Sequence, residues 1–250
     1  MNGRGVLITG ASRGIGRAVA QVFAAEGDRV AVHHRDSPDA AAETLAALEG
    51  SGHVVVQGDV ADAASVQRFV ATAVDALDGI DVLVNNAGVY RMHDPLTVTY
   101  AEWQEAWRAT LDIDLVGPAN VSWCVARHMI ERGRGGRIVN VASRGAYRGE
   151  PTAPAYAAAK AGMIAMGQSL ALALGRHGIS VTAVAPCFVD TEMAASRIAG
   201  PGRAEVSAQS PFNRIATPED VAAAVRYLAS PEAEFASGTV VDVNGASYLR

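Results

Sequence analysis

Tyr156 and Lys160 lie four residues apart, and Ser143 lies thirteen residues upstream of the tyrosine. Residues four apart share one face of a helix and can touch. A lysine ammonium beside a phenol favours the phenolate, which draws a tyrosine pKa down from its ordinary value of about 10. A tyrosine tuned in that way can pass a proton to or from a substrate oxygen. A serine hydroxyl can hold the same oxygen by a hydrogen bond. By itself a Tyr-x-x-x-Lys pair also reads as a solvated helix face, so the rest of the chain must decide.

A second group of residues fits a phosphate. Thr9-Gly10-Ala11-Ser12-Arg13-Gly14-Ile15-Gly16 follows a strand-like run and opens a helix. Glycines at 10, 14 and 16 allow tight turning and close approach of backbone to a ligand. The helix N-terminus offers free N–H groups and the positive end of a dipole to a pyrophosphate. The spacing is G-x-x-x-G-x-G rather than G-x-G-x-x-G. The end of the next strand reports on an adenosine ribose. An acidic residue there selects NAD, and a basic one accepts the 2′-phosphate of NADP. Here the strand ends His33-His34-Arg35, the acidic residue comes late at Asp36, and Arg13 adds a second cation. NADP(H) is therefore expected over NAD(H), with His34 and Arg35 at the ribose, although Arg35 also reads as a solvated surface charge. Asp59, after the third strand, reads as an adenine partner or as a cap on the following helix.

The elements that must position these residues alternate. Strand-like runs at Val6-Leu7-Ile8, Val30-Ala31-Val32, Val54-Val55-Val56, Val82-Leu83-Val84, Ile138-Val139-Asn140-Val141, Val181-Thr182-Ala183-Val184 and Val240-Val241-Asp242-Val243 are separated by helical patterns. Seven such runs predict an α/β fold, a doubly wound seven-stranded parallel Rossmann-like sheet with helices on both faces. With 250 residues, half of them apolar and 19% charged, the chain can bury a full-sized core. No linker or repeat divides it, so residues 1–250 are read as a single domain with a substrate loop around 190–215. The stretch from Ala199 to Ser210, with Gly200-Pro201-Gly202 inside it, reads as an irregular mobile insertion. The helix from Tyr156 to His177 is apolar nearly all round, which calls for burial on two sides and hence a homodimer or homotetramer.

Composition excludes several classes. A net charge of −5 argues against nucleic acid as a partner. No apolar run is read as approaching a membrane span. Met1-Asn2-Gly3-Arg4-Gly5 runs straight into a strand, leaving no room for a signal peptide. Cys124 and Cys187 read as reduced thiols, and the chain is expected to be cytoplasmic. The six histidines lack metal-ligand spacing, so no metal site is expected.

With these pieces assembled, the chain resembles the short-chain dehydrogenase/reductase family, in its compact single-domain branch. The matching segments are Thr9 to Gly16, Gly58-Asp59-Val60, Asn85-Asn86-Ala87-Gly88, Ser143, Tyr156 with Lys160, Pro186 to Thr191 and Thr217-Pro218-Glu219-Asp220-Val221, in family order. The resemblance implies hydride transfer between a nicotinamide and a carbonyl or secondary alcohol. It makes Tyr156 the acid/base, Lys160 its tuning partner and nicotinamide-ribose ligand, and Ser143 the holder of the substrate oxygen. It places Asn86, Ala87 and Gly88 along the cofactor, with Val60 near the adenine. Pro186, Val189 and Thr191 then stand at the nicotinamide.

Two positions depart from the family pattern. Asp114, in Ile113-Asp114-Leu115-Val116-Gly117, stands where an asparagine is usual and is counted among the catalytic residues. If ionised, it partly cancels the field with which Lys160 acts on Tyr156. Cys187 stands where glycine usually follows Pro186. The motif details are most similar to 3-oxoacyl carrier-protein reductases, so a ketone or 3-oxoacyl reductase is expected. Arg132, Arg134, Arg137, Arg176 and His177 are then candidates to meet an acidic carrier protein. A dehydrogenase of sugars, polyols or other secondary alcohols, and a cofactor-sensing protein without chemistry, stay open.

Overall fold

The computed structural model describes residues 3–250, so Met1 and Asn2, on which the signal-peptide reading partly rested, lie outside the described residues. Seven strands form: β1 (Gly5–Ile8), β2 (Arg29–His34), β3 (Val54–Gln57), β4 (Val82–Asn85), β5 (Gly136–Val141), β6 (Ile179–Pro186) and β7 (Val240–Val243). They make one parallel sheet in the order β3-β2-β1-β4-β5-β6-β7. Val6 pairs with Val30 on one side and Val82 on the other. Each strand-like run of the sequence lies in one of these strands.

The helices are α1 (Gly14–Ala25), α2 (Pro38–Ala46), α3 (Ala63–Ala76), α4 (Tyr100–Leu111), α5 (Gly117–Arg132), α6 (Gly145–Arg148), α7 (Pro154–Leu174), α8 (Ala195–Ile198), α9 (Pro201–Ser207) and α10 (Pro218–Leu228). Successive strand residues point to opposite faces. Val6, Ile8, Val30, Val32, Val82 and Val84 accordingly pack under Val19 and Phe23 of α1 and Val221, Val225 and Leu228 of α10. Leu7, Ala31, Leu83 and Ile138 face the other way, onto Phe69 and Val70 of α3 and Val121, Val125 and Met129 of α5. Each fully buried large apolar side chain contributes about 1.5–3 kcal/mol. The strand order reverses between β1 and β4, which opens a crevice at the carboxyl ends of these strands.

One helix carries a defect that matters for the site. α4 begins at a capping box, in which Glu102 N–H donates to Thr99 Oγ1 at 3.3 Å and Thr99 N–H donates to Glu102 Oε2 at 2.7 Å. It runs through a π turn, Asp112–Val116, straight into α5. Pro118 supplies the reason. It has no N–H for the Asp114 carbonyl, and its ring would crowd that carbonyl in a regular helix. The widened turn closes instead through Gly117 N–H and the Asp112 carbonyl. Gly117 also lets the turn approach Val60, since a Cβ there would stand 2.9 Å from the Val60 carbonyl oxygen.

Two expectations change. The stretch Ala199–Ser210 is largely helical, because Gly200 turns the chain at φ 52° and Pro201 starts α9 at its first position. The segment Pro154–His177 is long and apolar enough to cross a membrane by length and composition, with a mean hydropathy of 1.3. Its many alanines raise that value, and Lys160 within it faces inward and is buried. Within one chain this helix is covered on one side only: Ala155, Ala159, Met163 and Gly167 are buried while Leu172 is 88% exposed.

Gly117→Ala tests the close approach. A methyl group improves helix propensity by about 1 kcal/mol, but overpacking against backbone costs about 1–3 kcal/mol. The variant is expected to unfold at lower urea concentration than the parent. Equal or higher stability would show that the turn and Val60 separate freely.

Candidate active site

The strand ends, the α1 N-terminus and the 186–197 segment enclose a cavity of about 760 Å³, a size that suits a small-molecule ligand or cofactor. Gly10, Ser12, Arg13, Gly14, Ile15, His34, Arg35, Asp59, Val60, Asn86, Ala87, Gly88, Ser143, Tyr156, Lys160, Pro186, Val189 and Thr191 all line it. Two expected residues do not. Gly16 lies behind the turn, where a Cβ would stand 2.3 Å from the Gly10 carbonyl oxygen. Asp114 lies beneath the wall and is fully buried.

At the phosphate end, Gly10 and Gly14 have φ of 63° and 54°, left-handed values that favour glycine. The turn is tied to the next strand end through Thr9, whose Oγ1 accepts from Asn86 N–H and Ala87 N–H, each at 3.0 Å. Asn86 Nδ2 donates to the carbonyls of Thr9 and Gly10, each at 2.9 Å. The Asn86 side chain therefore shapes the turn. A residue missed by sequence reasoning completes the frame. His33 Nδ1 accepts from Gly10 N–H at 3.1 Å, and its Nε2 faces the Gly58 carbonyl at 3.0 Å. Its imidazole packs on Phe69 at 4.5 Å between ring centroids. Burial holds the His33 pKa down to about 4, against a smaller upward pull from the Gly58 carbonyl.

At the adenosine end both arginines already hold carboxylates. Arg13 pairs with Glu192 and also donates to Ser37 Oγ at 3.2 Å. Arg35 pairs with its neighbour Asp36. Asp59 does not cap α3; Asp62 does, accepting from Ala64 N–H at 2.9 Å. Asp59 Oδ1 closes a local turn on Ala61 N–H at 2.9 Å.

At the Tyr156 end, Lys160 is 3% exposed and donates from Nζ to the Val141 carbonyl at 3.1 Å. Its Nζ stands 5.7 Å from the centroid of the Tyr156 ring. Burial draws the Lys160 pKa down, and Asp114 pushes it up. Asp114 Oδ1 accepts from Val89 N–H at 2.8 Å, while its Oδ2 is buried with no protein partner. Burial raises the Asp114 pKa, against the pull of Lys160. Gly88 leaves room for both groups, since a Cβ there would lie 3.4 Å from each. The Tyr156 phenol is pushed up, first by burial and then by the charge of Asp114, with the Ser143 hydroxyl pulling it down by a hydrogen bond. Lys160 was expected to lower the tyrosine. Here its charge faces Asp114 and the Val141 carbonyl, and the net direction is upward.

Other supports were not legible in the sequence. His93 is buried, its Nε2 accepts from Ala155 N–H at 3.1 Å, and its Nδ1 faces the Arg91 carbonyl at 2.8 Å. It thereby caps the first turn of the helix that carries Tyr156. Tyr90 packs edge-on against Tyr156 at 5.0 Å and donates to Glu150 Oε2 at 3.2 Å. Of the residues considered for a carrier protein, Arg132 is engaged by Asp81 and Arg137 by Glu234, each at 3.1 Å.

Known proteins share this arrangement of sequence. A family described as enoyl-(acyl carrier protein) reductase matches residues 10–246. A galactitol 2-dehydrogenase of Agrobacterium fabrum is 38% identical, over 100% of this chain and 99% of that protein. A short-chain reductase protein of Streptomyces niveus is 41% identical, over 96% of this chain and 92% of that protein. A 3-oxoacyl-[acyl-carrier-protein] reductase of Synechocystis is 37% identical, over 97% of this chain and 96% of that protein.

His33 makes stability depend on pH. Its folded pKa of about 4 lies below the ordinary imidazole value of 6.5. The unfolded chain therefore binds the proton first, and this contribution to stability is present above pH 6.5 and lost as pH falls towards 4. The gap corresponds to about 3 kcal/mol. Urea unfolding of His33→Gln across that window is expected to show a flatter pH dependence than the parent. Parallel curves would remove His33 as the titrating group.

Proposed function

The chain belongs to the short-chain dehydrogenase/reductase family and is an oxidoreductase of carbonyl or secondary-alcohol groups, and we propose that it is an NADP(H)-dependent reductase of ketones or 3-oxoacyl groups. The observation that carries this reading is one cavity lined by Ser143, Tyr156 and Lys160 together with the α1 N-terminus.

The residues fit a dinucleotide. Gly14 and Ile15 would hold the pyrophosphate on the helix N-terminus. Arg13, His34 and Arg35 would meet a 2′-phosphate, with Asp59 and Val60 at the adenine. Asn86 to Gly88, Pro186, Val189 and Thr191 would line the nicotinamide end, and Lys160 its ribose. The nicotinamide supplies the hydride when bound.

The protein's own part is to manage the substrate oxygen. A ketone gaining hydride builds negative charge there, and the Ser143 and Tyr156 hydroxyls stabilise it as preplaced donors. Tyr156 then gives up its proton. The Tyr156 phenol, pushed up from its ordinary value, carries its proton at neutral pH and so has it to give to a ketone oxygen. Two observations favour a second reading, NAD-linked oxidation of a polyol. Arg13 and Arg35 are already neutralised, and the hydrogen-bonded Glu150 and Tyr90 offer polar partners to substrate hydroxyls. Exposed Trp123 and Leu172 on α5 and α7 support self-association into a dimer or tetramer.

A turnover screen of ketones, acyl thioesters and polyols, run with NADPH, NADH, NADP and NAD in parallel, tests the assignment. Reduction with NADPH is expected; polyol oxidation with NAD alone would overturn it. Tyr156→Phe is expected to lose about 10²–10⁴-fold in kcat while cofactor binding persists, and a smaller loss would move the proton elsewhere. Asp114→Asn removes a charge that raises Tyr156, so its kcat–pH profile is expected to shift towards acid. An unshifted profile at parental rate would show that Asp114 carries no charge in the working enzyme.

A further inference from the structure

Arg144 follows Ser143 directly and is only 4% exposed. Buried cations are ordinarily paired with anions, because an isolated one carries a large desolvation penalty. Arg144 has no carboxylate within 4.0 Å among the described residues. Its guanidinium donates to neutral oxygens, Ser247 Oγ at 2.6 Å and Gln209 Oε1 at 3.0 Å, and packs over the Phe188 ring at 5.6 Å. Burial draws its pKa down, as does the charge of Arg148.

Arg148, one turn further along and exposed, donates to the same Gln209 Oε1 at 3.1 Å and likewise has no ion-pair partner among the described residues. Two guanidinium groups thus converge on one uncharged amide oxygen. The nearby acids make no ion pair with them. Glu150 acts on Arg144 only at a distance and as the least of its charged neighbours, Asp220 is taken by Arg214, and burial raises the Cys187 thiol pKa. Arg144 lines the main cavity and also a cavity of about 10 Å³ beside Gln209, too small for a substrate group while Gln209 keeps its place.

We propose that Arg144 and Arg148 bind an anionic group of the substrate, a carboxylate or phosphate, which takes the position of the Gln209 amide oxygen. This inference rests on the functional reading above, because Arg144 lines the cavity that holds Ser143 and Tyr156. Arginine forks recognise both anions through paired charge-assisted hydrogen bonds. Gln209 belongs to the loop that follows α9, so the anion and the loop would exchange places on one cation pair.

Calorimetric titration of the full chain at fixed ionic strength tests this, with malonate, inorganic phosphate and the neutral malonamide as probes. Titrations are run with saturating NADP or NAD, which keeps the probes out of the dinucleotide site, and repeated without nucleotide. Malonate or phosphate is expected to bind and malonamide not, the stronger anion identifying the group. Arg144→Gln and Arg148→Gln are each expected to weaken binding by about tenfold or more and to leave nucleotide affinity unchanged. Arg148 is exposed, so its variant carries the test even where Arg144→Gln fails to fold. No anion binding, or equal affinity in parent and Arg148→Gln, would overturn the proposal and leave Arg144 as a strap between loop and C-terminal tail. Failure of both nucleotides to bind would count against the functional reading alone.

Discussion

A buried ammonium is the constraint around which this molecule is organised. Lys160 is 3% exposed, and a charge withdrawn from water is tolerated only with nearby groups to compensate it. Two parts of the chain far apart in sequence supply them. The end of β5 gives a carbonyl, and the π turn between α4 and α5 gives Asp114. The parallel sheet brings these parts together at the carboxyl ends of its inner strands, and His93 fixes the start of the helix on which Lys160 rides.

The same arrangement couples three titrating groups. Asp114 raises both Lys160 and Tyr156, while burial pulls the lysine down and pushes the tyrosine up. The tyrosine in turn is drawn back only by the Ser143 hydroxyl. The tuning of the phenol is therefore a property of the cluster, and a lysine four residues along the helix does not settle its sign.

Much of the fold was legible because local pattern and global architecture agree. Valine-rich runs bounded by polar residues became strands, and the glycine turn opened a helix where expected. Nearly all the residues assigned to the site line one cavity. What escaped depended on partners that sequence order does not bring together. His33 reads as an ordinary strand residue until Gly10 and Gly58 are seen on its two nitrogens. Arg144 carries no signal of its own in the sequence, because the partners that bury it, Ser247 and Gln209, lie 103 and 65 residues away. Ala199–Ser210 hides its helix in sequence because that helix is short, and the apolar length of α7 is spread over many alanines rather than large side chains.

The π turn at Asp112–Val116 acts on the α4–α5 rod as a dislocation acts on a crystal. It accommodates one extra residue, and each residue of a regular helix rotates the chain by about 100°. Every face beyond it is phase-shifted by that amount. In an unbroken helix Thr110 and Val121, eleven residues apart, would lie within about 20° of one face, and the π turn sets them apart. Losing one residue inside the turn would heal the dislocation and leave two sound helices, yet it would rotate the carboxylate away from the lysine.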